Sequence, residues 1–269
     1  MYGQRLSPDV NLLLRGLPRE DWGALSDYVE LVRMRPGQLL CDTGQHTNHV
    51  YFPTTAVVSM LSFLEDGTAI EIATVGSEGM VGIPVVTGGQ AMPFRFEVQT
   101  PGYGFRLSSV RLRQELLRSP ATLRAALLYV QALMTQIAQT AVCNRYHSLS
   151  QQVCRWLLLT ADRLCSNEIA ITQQVIAARL GVRREGVTEA AGKLADLGLI
   201  HYSRGHITLI DRRRLELHAC ECYGLVTREY GRLLSGRPAE LCLLDGGGRA
   251  RPGSAGAHPS HSAHSGSCL

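Results

Sequence analysis

The sequence predicts a mixed α+β chain: an antiparallel β domain, then one long helix, then a helix-turn-helix followed by a β wing. Three observations carry this. Short β-rich runs separated by Gly, Pro, Asn or Asp fill residues 50–98. An apolar seam with heptad spacing follows Ser119-Pro120. Residues 172–194 combine a small crossing residue, a turn glycine and inward apolar positions at helix-turn-helix spacing.

At 269 residues and 45% apolar content, the chain is long enough for two domains and carries a sizeable core, which excludes a wholly disordered polypeptide. Its longest apolar runs stop short of the ~18 residues of a membrane helix. Asp9, Glu20, Asp21, Asp27 and Glu30 fall near the start, so no secretory leader is expected. The chain reads as cytoplasmic, with no membrane partner. Cys41, Cys143, Cys154, Cys165, Cys220, Cys222, Cys242 and Cys268 are scattered without a CxxC pair. Reduced thiols are expected, several of them buried, and no metal. Cys220 and Cys222 have the spacing to form a redox pair or to join a metal site, but the favoured reading is helix-flanking thiols packed against the wing. Charge is uneven: residues 1–143 carry 11 Arg against 12 acids, net −1, whereas residues 144–214 carry 10 Arg, Lys193 and 6 acids, net +5. Such a block points to a polyanionic partner, and the arginine fork suits phosphate and guanine.

Taken in order, residues 10–17 and 21–29 read as two small helices, with Arg19-Glu20-Asp21 supplying first-turn acids. Pro36-Gly37 and Gly44 are turns. Residues 50–52, 56–63, 68–74 and 94–98 are the short strands, with Glu65-Asp66-Gly67-Thr68 as a hairpin turn. Strands at this spacing imply a sandwich or barrel of about 75 residues. Ser119-Pro120 starts the long helix, with Ser at the cap and Pro in the first turn. Its seam is Leu123, Leu127, Val130, Met134, Ile137 and Ala141, at gaps of 4, 3, 4, 3 and 4, and predicts self-association. A helix over 149–164 precedes the helix-turn-helix. An amphipathic segment over 212–234 leads into a Gly, Ser, Ala and His-rich tail that reads as disordered, with His258, His261 and His264 solvated. The expected domains are 10–118, 119–146, 147–217, 218–235 and the tail 236–269.

Within the helix-turn-helix, Ala177 is the small crossing residue, Gly181 the turn and Thr172 the first N-cap; Ile176, Leu180, Val182, Val187 and Ala190 point inward. Val187, Ala190, Ala191 and Leu194 share one face of the second helix. At about 100° per residue the opposite face presents Glu185, Thr188, Glu189 and Gly192, with Arg183 and Arg184 at the start. That pattern suits entry into a major groove. Gly186 and Gly192 each cost a helix about 1 kcal/mol, which points to close approach of backbone to DNA. Residues 199–202, Ser203-Arg204-Gly205 and residues 206–210 then read as strand, turn, strand, with Arg204 near a phosphate and Asp211 opening the next helix. The candidate DNA contacts are Thr172, Gln173, Arg183, Arg184, Glu185, Thr188, Glu189, Lys193 and Arg204.

In this order the residues resemble the Crp/Fnr family of bacterial transcription regulators, over roughly residues 10 to 235. The resemblance is strongest at Ile171-Thr172, Ala177, Leu180-Gly181-Val182, Arg183-Arg184-Glu185, Val187-Thr188 and Gly198-Leu199-Ile200. Weaker matches lie at Gly37, Gly44, Val50-Tyr51, Asp66-Gly67 and Val75-Gly76. It implies a cyclic-nucleotide-binding-type antiparallel β-roll, a dimerisation helix and a winged helix. The family's base-reading pair falls on Arg184, toward guanine O6 and N7, and Glu185, toward a cytosine amino group. A second reading Arg of the cyclic-AMP-responsive members meets Glu189. In the sensor cassette the ribose-binding Glu falls on Met80 and the phosphate-binding Arg-Ser pair near Pro93-Phe94-Arg95, with Glu78 expected in a turn. Cyclic AMP is therefore not expected to bind in the usual way, and the candidate effector pocket is Met80, Val81, Gly82 and Arg95. Only Cys41 precedes the long helix, which gives no iron–sulfur cluster, and neither His46 nor His49 stands out as a haem ligand. The cofactor stays unknown.

The implied function is a homodimeric, sequence-specific regulator whose partners are double-stranded DNA carrying an inverted repeat, a second copy of itself and an unknown small-molecule effector. Activation would add RNA polymerase, with no residue assigned to that contact. The alternative is a small-molecule or redox sensor acting through protein–protein contacts, against which the Arg183-Arg184 start and the basic block argue. No Gly-rich phosphate loop and no G-x-S-x-G is present, so no enzyme is expected.

Overall fold

The computed structural model describes residues 7–234. The predicted tail, with its His258, His261, His264, Cys242 and Cys268, lies outside the described residues.

Two short helices, α1 (Leu12–Arg15) and α2 (Arg19–Ser26), open the chain. Asn11 caps α1 through its Oδ1 and donates its amide to the carbonyls of Pro53 and Gly79, at 2.9 and 2.8 Å, which pins the entry to the β domain. That domain has two antiparallel sheets. In one, β1 (Glu30–Met34) and β3 (His49–Pro53) flank β7 (Gly102–Ser108). In the other, the order is β2 (Leu39–Cys41), β6 (Arg95–Thr100), β4 (Val57–Phe63), β5 (Ala69–Val75). Met34, Val50, Phe52, Met60, Val75, Phe96, Val98 and Leu107 fill the space between them. The expected strands appear as β3 to β6, whereas β1, β2 and β7 were not among them. In β7, a Cβ on Gly104 would lie 2.5 Å from Met34 Cε and 2.8 Å from the Phe52 carbonyl oxygen, and one on Gly102 would lie 2.5 Å from Ala56 N. The glycines admit close neighbours in a central strand.

A one-turn helix, α3 (Pro84–Thr87), and α4 (Ser109–Arg118) lead to α5 (Pro120–Tyr146). Ser119 caps α5 as its sequence predicts, accepting from Thr122 N at 3.2 Å. Among the described residues α5 is the one helix long and apolar enough to cross a membrane, but it lies between the β domain and α10 (Glu221–Leu234). Thr122, Ala126, Tyr129, Leu133, Gln136 and Thr140 form its buried face. The heptad seam lies elsewhere: Leu123, Val130 and Ile137 are half-buried, and Leu127, Met134 and Ala141 are exposed. Helix α10 runs antiparallel along α5, where Gln131 meets Glu229 and Gln136 meets Tyr230.

Helix α6 (Leu149–Leu164) begins in a Ser148–Gln151 capping box and is buried nearly all round. It joins the β domain to a second core built from α7 (Gln173–Leu180), α8 (Arg184–Asp196), α9 (Arg212–His218) and the sheet β8 (Glu168–Ala170), β10 (His206–Leu209), β9 (Ile200–Ser203). Asp211 caps α9 as expected, and the amphipathic stretch breaks at Ala219-Cys220 before α10.

The two cores touch directly. Glu71 of β5 is buried and accepts from Trp156 Nε1 at 2.8 Å and from the Ser59 hydroxyl. Arg179 of α7 pairs with Glu97 of β6 at 2.8 Å. Burial raises the Glu71 carboxyl above its usual range, partly offset by the Ser59 hydrogen bond and by Arg179.

Candidate nucleic-acid interface

Helices α7 and α8 form the helix-turn-helix around Gly181, whose left-handed φ of 67° makes the turn that its sequence position predicts. Val182 N closes it on the Ala177 carbonyl at 3.0 Å. Val187, Ala190, Ala191 and Leu194 of α8 are buried, leaving Arg184, Glu185, Thr188, Glu189 and Lys193 on the exposed side. Arg183 occupies the N-cap with no side-chain capping bond and is also exposed. Thr172 is exposed, its hydroxyl capping α7 through Val175 N at 3.3 Å. Gln173 is half-buried and receives a hydrogen bond from the Thr188 hydroxyl at 2.8 Å, tying the two helices together. Lys193 pairs with Glu189 at 2.7 Å and thereby holds that carboxyl below its ordinary range. Arg204 lies at the tip of the wing, with Gly205, in a turn of positive φ (42° and 82°) that suits a two-residue hairpin. All nine predicted contacts thus fall within one helix-turn-helix and wing, eight of them exposed.

Gly186 corrects the sequence reading. It does not lie on the outer face: a Cβ there would come within 2.7 Å of Leu149 Cδ2, so its backbone approach is to α6. Gly192 is open, with nothing within 4 Å.

Of the four predicted effector-pocket residues, Met80, Val81 and Gly82 are consecutive in the segment after β5, and Arg95 begins β6. Met80 and Val81 are buried core residues, and Val81 bridges Tyr51 of β3. Gly82 (φ 122°) packs against Val50, and a Cβ on Gly79 would strike the Tyr129 ring, whose hydroxyl donates to the Met80 carbonyl at 3.0 Å. Arg95 belongs to the other sheet, where it pairs with Asp42 at 2.9 Å and stacks on Phe63 at 4.5 Å. Glu78 lies in a turn as expected, where Gly79 N donates to the Gly76 carbonyl at 3.1 Å, and it forms a buried ion pair with Arg163 of α6 at 2.8 Å.

Sequence spacing gave no metal set, but the fold assembles four potential ligands: Cys143, His147, Cys220 and Cys222. Cys220 and Cys222 therefore pack on the end of α5, not on the wing. The hydrogen bond from Cys143 lowers the Cys220 thiol to about 5 and raises Cys143, while burial lifts Cys222 to about 11. The signal lay in the i, i+4 spacing of Cys143 and His147 together with the Cys-Glu-Cys triplet, separated by more than seventy residues.

The fold and this site define a winged-helix protein carried behind a β-roll. Residues 151–217 match the family model of the Crp-like helix-turn-helix domain. No curated protein matches the sequence. Among solved structures, a Crp/Fnr-family transcriptional regulator described from Eubacterium rectale is 18% identical with a TM-score of 0.60, covering 77% of this chain and 96% of its own. FixK2 from Bradyrhizobium japonicum is 16% identical with a TM-score of 0.61, covering 71% and 98%. The c-di-GMP-responsive global regulator CLP from Xanthomonas campestris is 16% identical with a TM-score of 0.56, covering 71% and 99%. Residues 151–217 are thus a Crp-like helix-turn-helix domain, and the chain shares its fold with those structures.

Proposed function

We propose that the protein is a homodimeric, sequence-specific DNA-binding regulator, with Arg184 and Glu185 reading base edges in the major groove and Arg183 and Arg204 contacting phosphate. The observation that carries this is the division of α8: one face is buried in its own domain and the other offers Arg184, Glu185, Thr188 and Glu189 to solvent. The exposed stripe of Leu127, Met134 and Ala141 on α5 supports dimerisation through that helix. A dimer would set two reading helices on half-sites about 10 bp apart. Such a protein works in the cytoplasm. The β-roll then senses something other than cyclic AMP held in the usual way, because Tyr129, Val50 and Asp42 already occupy the neighbourhoods of Gly79, Gly82 and Arg95.

Selection of bound duplexes from a random DNA pool tests the reading. Enrichment of an inverted repeat with centres one helical turn apart is expected. Failure to enrich any sequence at low salt, together with a flat dependence of binding on salt, would favour protein docking by the winged helix. Cyclic AMP added to the enriched operator should leave the affinity unchanged.

A further inference from the structure

The thiol cluster at the end of α5 is not used by DNA reading. Cys143 and His147 close the last turn of α5, where the Cys143 carbonyl accepts from His147 N at 3.1 Å. Cys220 and Cys222 flank Glu221, the first residue of α10. The four ligand atoms lie within 4.8 Å of one another, with Cys143 Sγ to Cys220 Sγ at 3.5 Å and Cys222 Sγ to His147 Nδ1 at 3.6 Å. Tetrahedral zinc, bound at about 2.3 Å by sulfur and about 2.0 Å by nitrogen, sets its ligand atoms roughly 3.5–3.8 Å apart. A cluster of irons bridged by sulfide needs its ligands spread more widely.

The surroundings suit an anionic metal centre. The Glu221 carboxylate lies 3.3 Å from His147 Nε2, the contact that fixes an imidazole with Nδ1 free for a metal. Arg155 is buried, donates to the Thr140 hydroxyl at 2.5 Å, and leaves its Nε without a hydrogen-bond partner among the described residues. No carboxylate pairs with it among those residues, yet its charge acts on the Cys143 and Cys222 thiols. Three thiolates, a neutral imidazole and a dication leave one negative charge, which a buried guanidinium offsets. Cys143, Cys220 and Cys222 also form a small buried cluster of their own, apart from both main cores.

We propose that Cys143, His147, Cys220 and Cys222 bind one zinc(II) ion in a closed tetrahedral site that fastens the end of α5 to the start of α10. All four positions are filled by protein, which makes the site structural rather than catalytic. Its place matters because residues 147–148, directly after α5, are the connection to α6 and hence to the winged helix.

The test is metal analysis of the full chain, purified under reducing conditions without chelator, beside a variant carrying His258→Ala, His261→Ala and His264→Ala. One zinc per chain is expected in both, and none in Cys143→Ser or Cys222→Ser. X-ray absorption on the wild type should give three sulfur and one nitrogen neighbours, sulfur at about 2.3 Å. Cobalt(II) added to the reduced, chelator-stripped wild type should produce tetrahedral thiolate bands that zinc abolishes, a readout independent of how the variants fold. Wild type that holds no zinc and develops no such bands would overturn the proposal, as would full zinc content in the serine variants.

Discussion

Arg184 opens the reading helix with an exposed side chain and no ion pair among the described residues, so its donors are free for a base. Arg184→Ala is expected to cost about 1–3 kcal/mol of operator affinity, concentrated at one base pair when operator variants are compared. A loss spread evenly over all sequences would make it a phosphate contact instead. Glu189 differs in kind, because Lys193 already neutralises it across one helical turn. Gly186 shows where single-residue reasoning from sequence stopped. Its missing side chain was legible, but which neighbour required it was not, since outer and inner approach look alike in a helical pattern. With Leu149 filling that space, Gly186→Ala should lower thermal stability by the 1–3 kcal/mol typical of overpacking, roughly, whether or not DNA is present. Melting curves of the free protein decide it: an unchanged or raised Tm would show that Leu149 moves aside and that helix propensity wins.

At the scale of elements, periodicity was the reliable guide. Helices α5, α6, α7 and α8 and the wing strands follow from heptad, capping and turn signals that belong to the local chain. Strand β7 was not legible because Gly104 answers to Met34 and Phe52 and Gly102 to Thr55 and Ala56, residues far off in sequence. On helix α5, Leu123, Val130 and Ile137 of the heptad seam pack against the core of the β domain and α10, whereas Leu127 and Met134 are left 46% and 64% exposed. A large apolar side chain so placed calls for a partner. Leu127→Glu with Met134→Glu is expected to yield monomers in sedimentation at micromolar concentration while keeping the fold, because neither side chain is buried. A wild type that sediments as a monomer at that concentration would remove α5 as the dimer contact.

Over the whole molecule, the decisive contacts were invisible in sequence because they join residues from different domains. Glu71 looks like a polar strand position, and only the folded chain shows it receiving Trp156. Its carboxyl is raised by burial, with Ser59, Trp156, Arg179 and Arg163 the groups that lower it in part. A raised carboxyl favours the protonated form in the folded state, so its contribution is full below the unfolded value and is lost as pH climbs toward the folded one. Wild type should therefore lose Tm relative to Glu71→Gln as pH rises above the ordinary glutamate range, and the two should agree below it. Parallel Tm curves across that window would mean that Glu71 is ionised at no cost.

That buried carboxylate has a bearing on how such proteins are built by exchange of parts. A chimaera carrying another winged helix on this β-roll would leave Glu71 without its indole donor and Glu97 without its arginine. An orphaned buried acceptor of this kind costs on the order of 1–3 kcal/mol. The two halves of this chain are a matched pair, and a transplanted head would need Trp156 and Arg179 to travel with it.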